Sequence, residues 1–133
     1  MIINHITYSV SDITEAVLFY NKLFGKSPIA YGEALAYYDL DGIWFALNQE
    51  NVSRVETYSH VAFFSDDLEK LKSHLGEVGI RYELGRLRHS NEFVSIYIRD
   101  MDMNLIEFHT GNLKNRLLHY KEYRDDIKIS EAL

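Results

Sequence analysis

An internal repeat constrains this chain more than any other feature of its sequence. A segment that opens at His5 and a segment that opens at His60 carry the same landmarks in the same order. In each copy an aspartate follows the histidine, and a glycine closes the amphipathic stretch after it. These landmarks are Asp12 and Gly25 in the first copy and Asp67 and Gly79 in the second. Such a repeat favours two copies of one folding unit that share a core.

Each copy is predicted to fold as a strand, a helix and three further strands. Alternating apolar residues predict strands at 2–10, 28–31, 35–40, 43–47, 61–64, 80–84, 94–99 and 105–109. Helical spacing between an aspartate cap and a glycine stop predicts the two helices, and 113–123 is predicted to be a C-terminal helix. The fold class is therefore α+β: two βαβββ modules, at about 1–55 and 56–112, form a concave mixed sheet in one domain spanning 1–133.

Charge and cysteine content exclude several classes of function. Lys and Arg number 14 and Asp and Glu number 20, so the net charge is −6, which disfavours a nucleic-acid partner. The chain has no cysteine, which excludes disulfides, thiolate metal sites and a cysteine nucleophile. No apolar run approaches the ~20 residues of a membrane helix, and no signal peptide is recognisable. We expect a cytoplasmic protein without a membrane partner.

The two faces of the predicted strands differ in chemistry. Side chains alternate across a strand, so each strand presents one aliphatic face and one face of His, Glu, Tyr, Trp, Asn, Ser and Thr. A solvated face would carry Lys and Glu instead, so the mixed polar and aromatic face predicts a concave binding site. His5, His60 and Glu107 all fall on this face.

Two imidazoles and one carboxylate form a set that binds a divalent ion and leaves positions open for substrate. His5 and His60 occupy equivalent places in the two copies, so a pseudo-two-fold axis would bring them together, whereas Glu107 has Ala46 as its repeat mate. Any one of the three alone is more often an ordinary strand residue, but the three together favour a metal. His109, on the same face as Glu107, is the reserve ligand.

Several segments resemble a known superfamily. N-H-I at 4–6, S-H-V-A-F at 59–63 and I-E-F-H at 106–109 resemble the vicinal-oxygen-chelate superfamily, which has the glyoxalase fold. A-Y-Y-D-L-D-G-I-W-F-A-L-N at 36–48, G-R-L-R at 85–88, S-I-Y at 95–97 and G-N-L-K-N-R-L at 111–117 are similar to FosB-type metallothiol transferases. The resemblance runs from residue 3 to about residue 121.

This resemblance implies a domain-swapped homodimer that adds a low-molecular-weight thiol, commonly bacillithiol, to the epoxide of the antibiotic fosfomycin. The implied metal ligands are His5, His60 and Glu107; the implied substrate-binding residues are Tyr37, Trp44, Asn48, Tyr58 and Arg86; the implied catalytic residues are Thr7, Tyr97 and Arg116. Oxygen ligands and a phosphonate suit Mn²⁺ or Mg²⁺, while two imidazoles also accept Zn²⁺, Ni²⁺ or Fe²⁺.

Thr7, the turn at 100–104 and the tail after Tyr123 depart from the pattern of FosB-type proteins. Thr7 stands where FosB-type proteins have a cysteine, and the turn at 100–104 lacks the usual Pro and Gly. Leu35 stands where related hydratases place a glutamate base, which argues against hydration of the epoxide. Two further functions remain open at this stage: another metal enzyme of the same fold, such as an extradiol dioxygenase or an isomerase, and a non-catalytic small-molecule binding protein.

Overall fold

The computed structural model describes residues 1–86 and 94–130. Within them the elements follow in the order β1 (His5–Val10), α1 (Ile13–Phe24), β2 (Ala30–Tyr31), β3 (Leu35–Leu40), β4 (Ile43–Gln49), β5 (His60–Phe64), α2 (Leu68–Val78), β6 (Glu83–Leu84), β7 (Ser95–Arg99), β8 (Leu105–His109) and α3 (Leu113–Tyr123). The predicted order of elements is confirmed. β1 is shorter than predicted because its partner strand β4 begins at Ile43, so residues 2 and 3 have nothing to pair with.

Each repeat forms its own four-stranded mixed sheet. The first sheet has the order β1-β4-β3-β2 and the second has the order β5-β8-β7-β6. In the first sheet β1 runs parallel to β4, and in the second β5 runs parallel to β8. The other strand pairs are antiparallel. The two βαβββ modules of the α+β prediction are therefore confirmed, although a single chain contains two separate sheets. His5 lies opposite Trp44 and His60 lies opposite Leu105, so the two histidines occupy matching register positions.

The repeated aspartates and glycines mark the ends of the repeated helices. The Asp12 carboxylate accepts the Glu15 amide at 3.1 Å, and the Asp67 carboxylate accepts the Lys70 amide at 3.0 Å. Each cap satisfies an amide that has no partner inside its helix. Gly25 and Gly79 end α1 and α2 with φ of 64° and 74°, in the left-handed region that disfavours other residues.

One core joins the two modules. The aliphatic faces of both sheets pack with α1 and α2, and the Phe63 ring lies 5.9 Å from Phe24 and 6.4 Å from Phe45. Because side chains alternate, this packing turns the polar face of each sheet away from the core. In the described residues, no helix combines the length and apolar character needed to cross a membrane.

Candidate metal and substrate site

A cavity of about 620 Å³ lies on the polar face of the second sheet. We call it the Glu107 cavity. Its walls are Tyr58, Leu84, Gly85, Arg86, Ser95, Tyr97, Glu107, Arg116 and Tyr120. Five of these residues, namely Tyr58, Arg86, Tyr97, Glu107 and Arg116, belong to the predicted site. Strand β7, strand β8, the end of β6 and helix α3 thus bring together residues that are far apart in sequence.

Gly85 sets how closely the Arg86 backbone approaches β7. The Gly85 amide donates to the Ser95 carbonyl at 2.8 Å. A Cβ atom at this glycine would lie 3.0 Å from Ser95 Cβ and 3.3 Å from Tyr97 Cε2, closer than side chains normally pack. The missing side chain therefore lets Arg86 follow directly at the edge of the cavity.

The Glu107 carboxylate has three close polar contacts. Its Oε2 lies 2.8 Å from Nε2 of His60. Its Oε1 accepts from the Ser95 hydroxyl at 2.6 Å and from the Tyr97 hydroxyl at 3.2 Å. A buried carboxylate needs such partners, because an unpaired charge away from water is costly. Glu107 is 9% exposed, so these contacts largely define its environment.

The donor atoms fit a divalent ion. Nδ1 of His60 donates to the Tyr58 carbonyl at 2.6 Å, and Nδ1 of His5 donates to the Asn4 side-chain oxygen at 2.7 Å. In the neutral form of each histidine Nε2 is therefore the nitrogen without a proton, which is the arrangement that metal-binding histidines with a bonded second nitrogen have. Two ligands about 2.1 Å from one ion at right angles lie about 3 Å apart, close to the His60–Glu107 separation.

The third predicted ligand lies in the other sheet. Within residues 1–86 and 94–130 of one chain, no group of three or more His, Cys, Asp or Glu side chains is placed to hold a metal ion. One chain therefore brings His60 and Glu107 together without His5. The three-ligand set stays a prediction.

The remaining predicted residues line the polar face of the first sheet. The His5 ring lies 4.4 Å from the Trp44 ring, and Tyr37 meets the same tryptophan edge-on at 5.2 Å. Thr7 is exposed on β1, and Asn48 lies opposite Ser9. Tyr37 and Trp44 border a smaller cavity of about 260 Å³. The structure therefore divides the predicted site into two halves.

Two tyrosines form the wall between the Glu107 cavity and a second cavity of about 730 Å³. The hydroxyls of Tyr58 and Tyr97 are 3.0 Å apart. Burial, then the hydrogen bond with Tyr58 and the charge of Glu107, raise the pKa of Tyr97 above its ordinary value. Its hydroxyl therefore stays protonated at neutral pH and remains a hydrogen-bond donor.

Sequence reasoning missed Ser95 and Tyr120. Ser95 shares a face of β7 with Tyr97, but a short hydroxyl side chain carries no distinctive pattern in a sequence. Tyr120 follows Arg116 by one helical turn, a spacing that places both on one face of α3. The guanidinium groups of Arg116 and Arg124 lie 5.8 Å from the Tyr120 ring centre. Arg88 lies outside the described residues.

Comparisons with known proteins agree with this fold. The family model of the Glyoxalase/Bleomycin resistance protein/Dioxygenase superfamily matches residues 2–108. A protein named metallothiol transferase FosB from Staphylococcus epidermidis is 44% identical to this chain, and the match covers 96% of each chain.

Solved structures give the same picture. The fosfomycin resistance protein FosX from Listeria monocytogenes, complexed with Mn(II) and sulfate, has a TM-score of 0.77 and is 27% identical, over 90% of this chain and 99% of that one. A mutant of that protein, complexed with Mn(II) and 1S,2S-dihydroxypropylphosphonic acid, has a TM-score of 0.76 and is 28% identical, over the same shares of the two chains.

Proposed function

Because the chain belongs to the metallothiol transferase family of the glyoxalase superfamily, we propose that it transfers a low-molecular-weight thiol, such as bacillithiol, to fosfomycin or a similar small epoxide phosphonate. The observation that carries this proposal is the Glu107 cavity. Glu107, whose Oε2 lies 2.8 Å from Nε2 of His60, lines this space of about 620 Å³ together with Arg86 and Arg116.

The carboxylate–imidazole pair suits a divalent ion, for which we propose Mn²⁺ or Mg²⁺. His60 and Glu107 would supply one nitrogen and one oxygen, and His5 a second nitrogen. When bound, the ion acts as a Lewis acid on the epoxide oxygen. Mn(II) in the related Listeria structures supports the choice of a hard cation.

Arg86 and Arg116 suit a phosphonate. A guanidinium group offers a planar fork of donors that matches the oxygens of a tetrahedral anion. The hydroxyls of Tyr58 and Tyr97 lie at the same wall of the cavity, where the Tyr97 hydroxyl donates to Glu107. With the anion held in this way, the epoxide would lie towards Glu107.

The nucleophile has to come from a second substrate, because the chain contains no cysteine. Sulfur forms a bond to an epoxide carbon while the carbon–oxygen bond breaks, and the released oxygen takes up a proton. Positive charge from the arginines favours the thiolate form of the incoming thiol. Leu35 cannot act as a base, which disfavours attack by water at the position implied for hydratases.

We also propose that the working molecule is a domain-swapped homodimer in the cytoplasm. His5, Thr7, Tyr37, Trp44 and Asn48 occupy one sheet, and the other predicted residues surround the second. A partner copy would complete each site by placing its first sheet against the Glu107 cavity. Thr7 of the partner subunit would then contact the epoxide oxygen. Thiols are kept reduced in the cytoplasm, where the second substrate is available.

The test measures loss of thiol when purified protein, Mn²⁺, bacillithiol and fosfomycin are mixed. We expect wild-type protein to consume thiol and form a thioether, and Glu107→Gln to lose at least about 100-fold in rate, since it removes a charged ligand. Glu69→Gln, on the exposed face of α2, is the matched control and should keep full activity. Formation of a diol without loss of thiol would overturn the proposal in favour of hydration.

A further inference from the structure

A chain of hydrogen bonds extends behind Glu107, on the side away from His60. Nδ1 of His109 lies 2.8 Å from the Ser95 hydroxyl, which donates in turn to Oε1 of Glu107 at 2.6 Å. Ser95 is 9% exposed, and the side chain of His109 is 18% exposed. β7 and β8 place Ser95 directly opposite His109 in the sheet register.

The direction of this chain follows from the number of protons available. An ionised carboxylate only accepts, so the one hydroxyl proton of Ser95 points to Glu107. His109 must then donate from Nδ1 to the Ser95 oxygen. Oε1 therefore receives hydrogen bonds from Ser95 and Tyr97, and Oε2 is left facing His60. Fixing one carboxylate oxygen determines the direction in which the other one points.

The first module provides an internal comparison. The strand register places Ala46 where Glu107 lies in the second module, and Tyr37 where Tyr97 lies. The same register makes Leu35 the mate of Ser95 and Asn48 the mate of His109. The module without the carboxylate therefore also lacks the serine–histidine pair, although the strand pairing is the same. The pair therefore accompanies the carboxylate in this chain and is not needed for the sheet to form.

We propose that Ser95 and His109 are positioning residues that hold Glu107 in the orientation needed to bind the divalent ion. This inference rests on the metal site of the proposed function. Partners of this kind behind a metal ligand commonly change metal affinity by 10–100-fold when removed. Neither residue needs to touch the ion.

The experiment measures Mn²⁺ binding to the full-length protein by calorimetry, without fosfomycin or thiol. We expect Ser95→Ala and His109→Leu each to raise the Kd for Mn²⁺ by about 10–100-fold. His109→Asn places an amide donor near the position of Nδ1 and should restore the Kd to within about threefold of wild type. His74→Leu, a histidine on α2 that contacts the Lys22 carbonyl, is the matched control and should leave the Kd unchanged.

Two further measurements separate this role from others. Melting temperatures in a chelator should agree between wild type and His109→Asn, and at saturating Mn²⁺ the kcat of Ser95→Ala should return to near the wild-type value.

Equal Mn²⁺ affinity in Ser95→Ala and wild type would overturn the inference and leave the proposed function intact. A higher fosfomycin KM for Ser95→Ala at saturating Mn²⁺ would also overturn it, because Ser95 would then contact substrate. If wild-type protein does not bind Mn²⁺, both this inference and the proposed function are overturned. If the variants bind Mn²⁺ more weakly but wild-type protein transfers no thiol to fosfomycin, only the proposed substrate is overturned.

Discussion

At the scale of single residues, Met103 shows how the turn between β7 and β8 forms without the usual Pro and Gly. Met103 has φ of 69°, in the left-handed region that a bulky side chain rarely adopts. Its amide donates to the Asp100 carbonyl at 3.1 Å, and its carbonyl accepts from Arg99 at 2.8 Å. Hydrogen bonds on both sides of the residue therefore hold a backbone conformation that its own side chain opposes.

Met103→Gly should stabilise the protein. Glycine adopts this φ without the steric cost of a Cβ atom, so we expect the free energy of unfolding to rise by about 1 kcal/mol. Urea denaturation monitored by circular dichroism measures the change. Asp41→Gly is the control, because Asp41 has φ of 55° but aspartate tolerates this region, so its gain should be smaller. A loss of stability in Met103→Gly would show that the Met103 side chain contributes packing that outweighs the backbone strain.

At the scale of elements, the turn at 100–104 ties the second sheet to the first module. Asp100 accepts the Tyr20 hydroxyl of α1 at 2.7 Å and the amides of Asp102 and Asn104 at 2.9 and 3.0 Å. Asp102 accepts the Ser11 amide just before α1 at 2.9 Å. Two buried carboxylates therefore connect the beginning and the middle of α1 to a turn about 80 residues later in the sequence.

Stability should depend on the charge of Asp102 at acid pH. Burial opposes its ionisation, but the hydrogen bonds from Ser11 and the contact with Arg54 lower its pKa below the ordinary value. Because its pKa is lower in the folded than in the unfolded chain, ionised Asp102 stabilises the fold at pH values above about 4, the pKa of an unfolded aspartate. This stabilisation is lost as the pH falls through the pKa of Asp102 in the folded chain.

Asp102→Asn tests this dependence. We expect it to lower the free energy of unfolding by about 1–3 kcal/mol at pH 7, because hydrogen bonds to a charged group are lost. The difference from wild type should shrink below about pH 4, as thermal melts across pH would show. Asp126→Asn removes an exposed carboxylate whose pKa is also lowered, by Arg124, and should leave the melting temperature unchanged. A constant difference at all pH values would mean that the charge of Asp102 is not involved.

At the scale of the whole molecule, the first strand of each repeat, β1 or β5, lies at the edge of its own sheet, and the Tyr8 hydroxyl of β1 accepts the Val61 amide of β5 at 3.0 Å. The proposed ligand His5 lies on one of these strands and His60 on the other. An assembly of two copies would therefore contain two equivalent composite sites.

Mixing two inactive variants tests whether each site is shared between subunits. His5→Ala and Glu107→Ala each lack one ligand and should be inactive alone. After the two are unfolded and refolded together, heterodimers with one intact site should restore about a quarter of wild-type thiol transfer. Each variant refolded alone is the control. No recovery in a mixture that does contain heterodimers would show that each site uses residues of one chain only.

The sequence by itself determined the repeat, the element order and the helix ends, because caps and periodicity are local. Asp12, Asp67, Gly25 and Gly79 act within a few residues of their own positions, so their spacing predicted their roles. The sequence also assigned His60 and Glu107 to the same face, because alternation along a strand fixes the direction of a side chain.

Only the tertiary structure decided which of those residues meet. The contact between His60 and Glu107 depends on the parallel pairing of β5 with β8. The register of two strands cannot be predicted from the sequence of either strand alone. The roles of Ser95 and His109 likewise follow from their being opposite each other across β7 and β8. His5 is absent from the Glu107 cavity for the same reason: each repeat forms its own sheet, and His5 belongs to the first one.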